Sequence, residues 1–418
     1  MFGRGSMIVA AGFAMVIGGY SLKMNRMAVN ASDNFNALWQ KSLVHEEAMS
    51  GMNFGINRVW GGHPEEYSTN LINTPCTTAV NIIPVGTDTV IVRSIARGYL
   101  RDDQYWEDND QLLHVADTVM AYFTFNIPVS EWFYFTNNDM GIYWTTGDTV
   151  WGPMHCNRSI VTSGAPVFYE KVTARLGISP LPGASGNQAR YYGGWEIGVN
   201  ASIPTDLSRI RDLANEANAG HARNTCCVYD TTLTLKFRDD GTVIRKVGNR
   251  VADTVQVTTI APTGVLYVTK DIHISGVLNG SLTMLTDDDV WIDDNITYAQ
   301  DPLTVANADD YLGMVAIDDI FVTENVANNS DVTINASMLA VNGSFTAQNY
   351  STRVISGVLR VVGSIAQNTR GAVGTFNNFT HQINHGFSKR YYFDPRLRTT
   401  SPPNFPFVRS LRLSSWWE

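Results

Sequence analysis

Met7–Leu22 (MIVAAGFAMVIGGYSL) carries no charge, and the uncharged stretch between Arg4 and Lys23 has eighteen positions. At 1.5 Å per residue a helix of that length spans about 27 Å, close to the roughly 30 Å of a bilayer's hydrocarbon core. Three readings compete: a cleaved secretory signal, a plain signal anchor, and an anchor that runs on into a longer helix. A signal needs a small-x-small cleavage site soon after the apolar run. Here the chain continues as SLKMNRMAVNASD, which does not supply one.

The apolar pattern does not stop at the bilayer. Phe35, Leu38, Trp39, Leu43, Met49, Met52, Ile56 and Val59 recur at helical spacing and form one stripe. No proline interrupts residues 1–63, and Trp60-Gly61-Gly62-His63-Pro64 supplies a stop. The pattern predicts one helix of some fifty residues, about 80 Å long, half in lipid and half amphipathic. Its membrane half is anchored by Met7, Ile8, Val9, Phe13, Met15, Val16, Ile17 and Leu22. An anchor followed by a separate domain helix is the alternative.

The rest reads as β-rich. Charged residues are 17% of the 418, apolar residues 44%, and the net charge is −9, from 30 Lys+Arg and 39 Asp+Glu. That balance gives no general attraction for nucleic acid, so none is expected as a partner. Thr89–Arg93, Val119–Phe125, Trp132–Phe135 and Thr231–Phe237 are β-branched or aromatic runs, and Asp240-Gly241 marks a hairpin. One helix is predicted from Thr205-Asp206 to Asn218, with Leu207, Ile210, Leu213 and Ala214 as its apolar stripe. From Gly264 short strands and Gly, Asn or Asp turns recur at about twenty residues, the texture of a parallel β-solenoid. An antiparallel sandwich is the competing arrangement. The expected fold class is α+β, mostly β: helix 1–60, a β-rich globular region 61–250, solenoid repeats 251–375 and a capping tail 376–418.

Several short motifs carry a resemblance. The start Gly3-Arg4-Gly5-Ser6-Met7-Ile8-Val9-Ala10 and the helical stretch Glu46-Glu47-Ala48-Met49-Ser50-Gly51-Met52 resemble PilX-type type IV pilins. Gly152-Pro153-Met154-His155-Cys156-Asn157, then Gly164–Tyr169, is similar to a segment of an uncharacterised surface domain that follows such helices. Tyr392-Phe393-Asp394-Pro395-Arg396-Leu397, Pro402-Pro403 and Ser415–Glu418 are similar to its end. The resemblance implies a structural or adhesive filament subunit, held in the inner membrane before assembly and at the cell surface afterwards. Its implied partners are like or unlike pilin subunits, joined through the stripe Phe35–Val59. Most pilins carry a glutamate at mature position five; processing after Gly5 would put Ala10 there, which points to a minor or tip-like subunit. A membrane-anchored adhesin outside any filament is the alternative, and a polysaccharide-acting β-helix enzyme a more distant one.

No catalytic residue is assigned. The acidic clusters Asp287-Asp288-Asp289, Asp293-Asp294, Asp309-Asp310 and Asp318-Asp319 suit coil corners, where aspartate is an ordinary turn residue. Incidental Ca²⁺ is the extent of the cofactor expectation. Trp132–Phe135 and Tyr191–Trp195 could meet a surface glycan, although core packing explains such clusters as well. Adjacent Cys226 and Cys227 have Cα atoms about 3.8 Å apart, short of the usual disulfide range. The expectation is therefore two cross-region disulfides that pair Cys76 and Cys156 with Cys226 and Cys227, in either order.

Overall fold

The computed structural model describes residues 4–60, 63, 65–73, 76–85, 89–100, 113–377 and 382–417. The chain divides into two compact units: residues 1–126 with 410–418, and residues 127–409.

In the first unit a 57-residue helix, α1 (Arg4–Trp60), is about 85 Å long. Its last part packs on an antiparallel sheet of β1 (Tyr67–Asn73), β2 (Cys76–Val85), β3 (Thr89–Leu100) and β4 (Leu113–Pro128), with the strand Phe407–Trp417 beside β4. Alternation decides the faces: Cys76, Thr78, Val80 and Ile82 on β2, and Val90, Val92, Ser94 and Ala96 on β3, are buried. The helix meets them with Val44, Ala48, Gly51, Met52, Gly55 and Val59, spaced at three and four. Two glycines let the backbone come close. A Cβ at Gly51 would lie 2.5 Å from Thr78 Cγ2, and one at Gly55 would run into Val92 Cγ1.

The second unit is built on a twenty-two-stranded sheet, counted among the described residues. Most of its pairings are parallel and in register. One ladder links Val265–Val268, Ser281–Thr286, Tyr311–Ala316, Val332–Ala340 and Ile355–Thr369. It then continues onto earlier chain: Tyr134–Asn138, Met154–Cys156, Val172–Ala174 and Trp195–Ile197. Register turns the sequence into a column of core residues: Leu266, Met284, Met314, Met338, Ile365, Tyr134, Met154 and Val172, all buried. A second ladder stacks Ile272, Val290, Ile320 and Phe345.

The long N-terminal helix and the mostly-β remainder agree with the expected fold class. The sheet is not closed, and the finer expectation of a β-solenoid goes beyond what this topology establishes. Asp240-Gly241 does turn the hairpin between Leu233–Phe237 and Thr242–Val247, with Gly241 at φ 77°. The expected helix runs Ser208–Asn218, where Asp206 Oδ1 accepts from Ser208 N at 3.0 Å and Leu207, Ile210 and Ala214 are buried.

Candidate functional site

Every side chain of the anchor segment Met7–Leu22 is exposed: Met7, Ile8, Val9, Phe13, Met15, Val16, Ile17 and Leu22 all stand more than half open, Met15 at 78%. Among the described residues, α1 is the helix long and apolar enough to cross a membrane by length and composition. Scattered exposed apolar residues are normal, but sixteen consecutive uncharged positions make a patch that water does not tolerate.

The stripe beyond the anchor divides in two. Met52 and Val59 are buried against the chain's own sheet, and Leu43, Met49 and Ile56 are half-buried beside them. Phe35, Leu38 and Trp39 are exposed, at 68%, 68% and 55%. The residues that carry the helix–sheet contact include Ala48, Gly51 and Gly55, which a hydrophobic count passes over because they offer little apolar surface.

The cysteines overturn the expected pairing. Cys226 and Cys227 are bonded to each other, and Cys76 and Cys156 are free and buried. Each free cysteine belongs to a different core. In this adjacent pair Cys227 takes a left-handed φ of 61°. Burial pushes the Cys156 thiol up to about 12 and also raises that of Cys76, so both behave as small apolar residues.

The acidic clusters take part in a repeated backbone device. Asp271 Oδ1 accepts from Asp289 N at 3.3 Å, Asp289 Oδ1 from Asp319 N at 2.8 Å, and Asp319 Oδ1 from Ser344 N at 2.6 Å. Each residue stands just before a strand of the second ladder, so each carboxylate ties its corner to the next. Asp310 does similar work, accepting from Gly280 N and Gln300 N at 2.6 and 3.0 Å. Asp271, Asp288 and Asp289 bring one oxygen each within 4.8 Å of one another, close enough to share a cation. Two of the three carboxylates already hold backbone N–H groups. Burial, with Asp319, Asp271 and Asp288 nearby, raises Asp289 to about 6.

The motifs resolve into scaffolding. Asp394 accepts from Arg396 N at 3.0 Å, and the Arg396 guanidinium donates to Asp394 and to the carbonyls of Ala308 and Asp310. His155 is buried, which lowers its pKa and keeps it neutral. Nε2 donates to Asn157 Oδ1 at 2.8 Å, and Nδ1 lies 2.8 Å from Thr173 Oγ1, which itself donates to Met154 O at 3.0 Å. Asn157 Nδ2 donates to Asn137 Oδ1 at 2.6 Å and to Ala201 O, and Ala201 N returns a bond at 3.2 Å.

Sequence reasoning missed one buried polar cluster altogether. Arg370 and Asp139, 3% and 1% exposed, pair at 3.1 Å, and Lys389 pairs with Asp148 at 3.2 Å. Trp144 lies between the cations, 4.0 Å from the guanidinium and 5.2 Å from the ammonium. Arg370, Lys389, Asp148 and Trp144 line a cleft of about 90 Å³ with Tyr134, Gln367 and Tyr391. Burial raises Asp139 and lowers Lys389, and their partners offset this only in part. No sequence signal marks these residues, because Asp139 and Arg370 are 231 positions apart.

No protein-family model matches the chain, and no curated protein is similar to it. Among solved structures it is similar to the competence-associated pilin ComZ from Thermus thermophilus. That likeness has a TM-score of 0.32 and 10% identity, covering 90% of this chain and 97% of that one, a level at which it carries no argument.

Proposed function

We propose that this chain is a type IV pilin-like subunit of a cell-surface filament, with a structural rather than an enzymatic role. It rests in the inner membrane through Met7–Leu22 before assembly. The observation that carries this reading is the division of labour along α1. Its first part is apolar and wholly unpartnered, while its last part is seated on a sheet of its own unit. Lipid can cover Met7–Leu22, and the helices of like subunits can cover it after extraction; a bundle also accounts for Phe35, Leu38 and Trp39. Ala10, where most pilins bear a carboxylate, favours a minor or tip-like place. The parallel ladders of the second unit read as successive coils of a β-solenoid carried outside the membrane.

The test is mass spectrometry and electron cryomicroscopy of filaments sheared from native cells. The expected result is a mature N-terminus beyond Gly3 or Gly5 and this chain within the filament. Density for residues 7–59 repeating through the core would make it the bulk subunit instead of a minor one. Recovery only from membranes, with residues 1–5 retained, would replace the filament reading with an anchored adhesin. Cleavage after Leu22 would remove the anchor and overturn both.

A further inference from the structure

The arginines of this acidic chain are for the most part spoken for. Arg211 pairs with Asp287, Arg245 with Asp253, Arg370 with Asp139, Arg396 with Asp394 and Arg398 with Glu170. Arg158 and Arg175 are among those that are not. Both are exposed, and among the described residues neither guanidinium has an ion-pair or hydrogen-bond partner. They line one open groove of about 440 Å³ with Asn137, Asn157, Asn200 and Ser202, and among the described residues no carboxylate lines it.

The backbone fixes their proximity. Arg175 N donates to Cys156 O at 2.9 Å and Leu176 N to Arg158 O at 3.4 Å, so the two arginines ride on adjacent parallel turns. Adjacent strands lie about 4.8 Å apart. Two unpaired cations that line one groove repel, and an oxyanion bound between them relieves the repulsion while accepting guanidinium hydrogen bonds. The floor beneath them is rigid. Asn157 spends its amide on His155, Asn137 and Ala201, and Asn137 Nδ2 donates to Asn368 Oδ1 at 3.0 Å. That leaves Asn200 and Ser202, both exposed, as neutral hydrogen-bonding groups along the groove.

We infer that this groove binds an acidic saccharide, with Arg158 and Arg175 on its carboxylate or sulfate and Asn200 and Ser202 on its hydroxyl groups. The groove's volume falls in the range of small-ligand sites, and its polar lining suits a hydroxyl-rich chain better than an apolar peptide. The His155/Asn157 motif then has a role: it holds the floor on which the arginines stand. The inference is independent of whether the chain enters a filament.

The experiment is calorimetric titration of the full chain in detergent with tetragalacturonate, a heparin hexasaccharide, neutral maltohexaose and inorganic phosphate. Binding of one or both acidic saccharides is expected, with no binding of maltohexaose; which one binds tells carboxylate from sulfate. R158Q/R175Q should weaken binding by more than about tenfold, as expected for loss of charged hydrogen bonds, with an unchanged melting temperature. R158K/R175K, which keeps the charge but not the fork, should retain part of the affinity. Binding of neither acidic saccharide, equal binding by phosphate, or full affinity in R158Q/R175Q would overturn the inference.

Discussion

The two units bury their cores by opposite means. In the first, a helix approaches a sheet because side chains are missing: Gly51 and Gly55 leave room for Ser94, Thr78, Val80 and Val92, and the contact is uncharged and mostly apolar. In the second, parallel register repeats one environment from strand to strand, and buried charges such as Asp139 and Asp394 are held by fixed partners. A close-packed apolar interface is sensitive to added volume, whereas a polar core is sensitive to a missing partner. The difference predicts which substitutions each unit can bear, and hydrogen exchange with peptide resolution reads the units separately.

The largest effect is expected from the buried ion pair. Arg370→Met leaves the Asp139 carboxylate, 1% exposed, without its cation. Removing one member of a buried pair costs about 3–5 kcal/mol. Exchange should rise across residues 134–156 and 355–393, with residues 76–98 unaffected. Asp139→Asn added to Arg370→Met should recover much of the loss, because the charge left behind is what costs. Equal damage from the single and double variants would mean that shape, and not charge, holds this cleft.

Next comes the helix–sheet contact. Gly55→Leu must displace Val92 and Val80, an overpacking that costs about 1–3 kcal/mol. Residues 76–98 should then exchange faster while residues 265–340 do not change. Gly18→Ala is the matched control, since nothing lies within 4 Å of a Cβ there. A similar response to both changes would show that α1 is not seated as described.

These contrasts also explain what the sequence could reveal. The helix was legible because a charge-free run and a stripe without proline constrain a chain strongly. The face it turns to its own sheet was not legible from apolar bulk, because closeness there comes from Ala48, Gly51 and Gly55. Turn residues gave away the corners after Gly264, where Asp271, Asp289 and Asp319 each tie down the next turn. The joining of Tyr134–Asn138 to Ile365–Thr369 in one ladder was not legible, because no periodicity connects them. The Cys226–Cys227 bond was hidden for another reason: the 3.8 Å between adjacent Cα atoms lies outside the usual disulfide range, which argued against pairing neighbours.

The aspartate corners give the smallest and most specific effect. In the folded chain Asp289 is raised to about 6, through burial first and then through Asp319, Asp271 and Asp288, against an ordinary value of 3.8. The folded state therefore holds a proton that the unfolded chain has released between about pH 4 and 6. Stability falls as pH rises through that window, the reverse of an ion-paired aspartate. Asp289→Asn keeps an oxygen for the Asp319 N–H and removes the charge. Because the carboxyl is partly open to solvent, the full shift overstates the gain, and about 1 kcal/mol of added stability at pH 7.5 is the reasonable size. At pH 4, where the aspartate is already protonated, the variant and the parent should match. Denaturant melts of both proteins at the two pH values decide the matter. A gain that persists undiminished at pH 4 would mean that Asp289 acts through packing, and the corner would then join the first unit's kind of core instead of the second's.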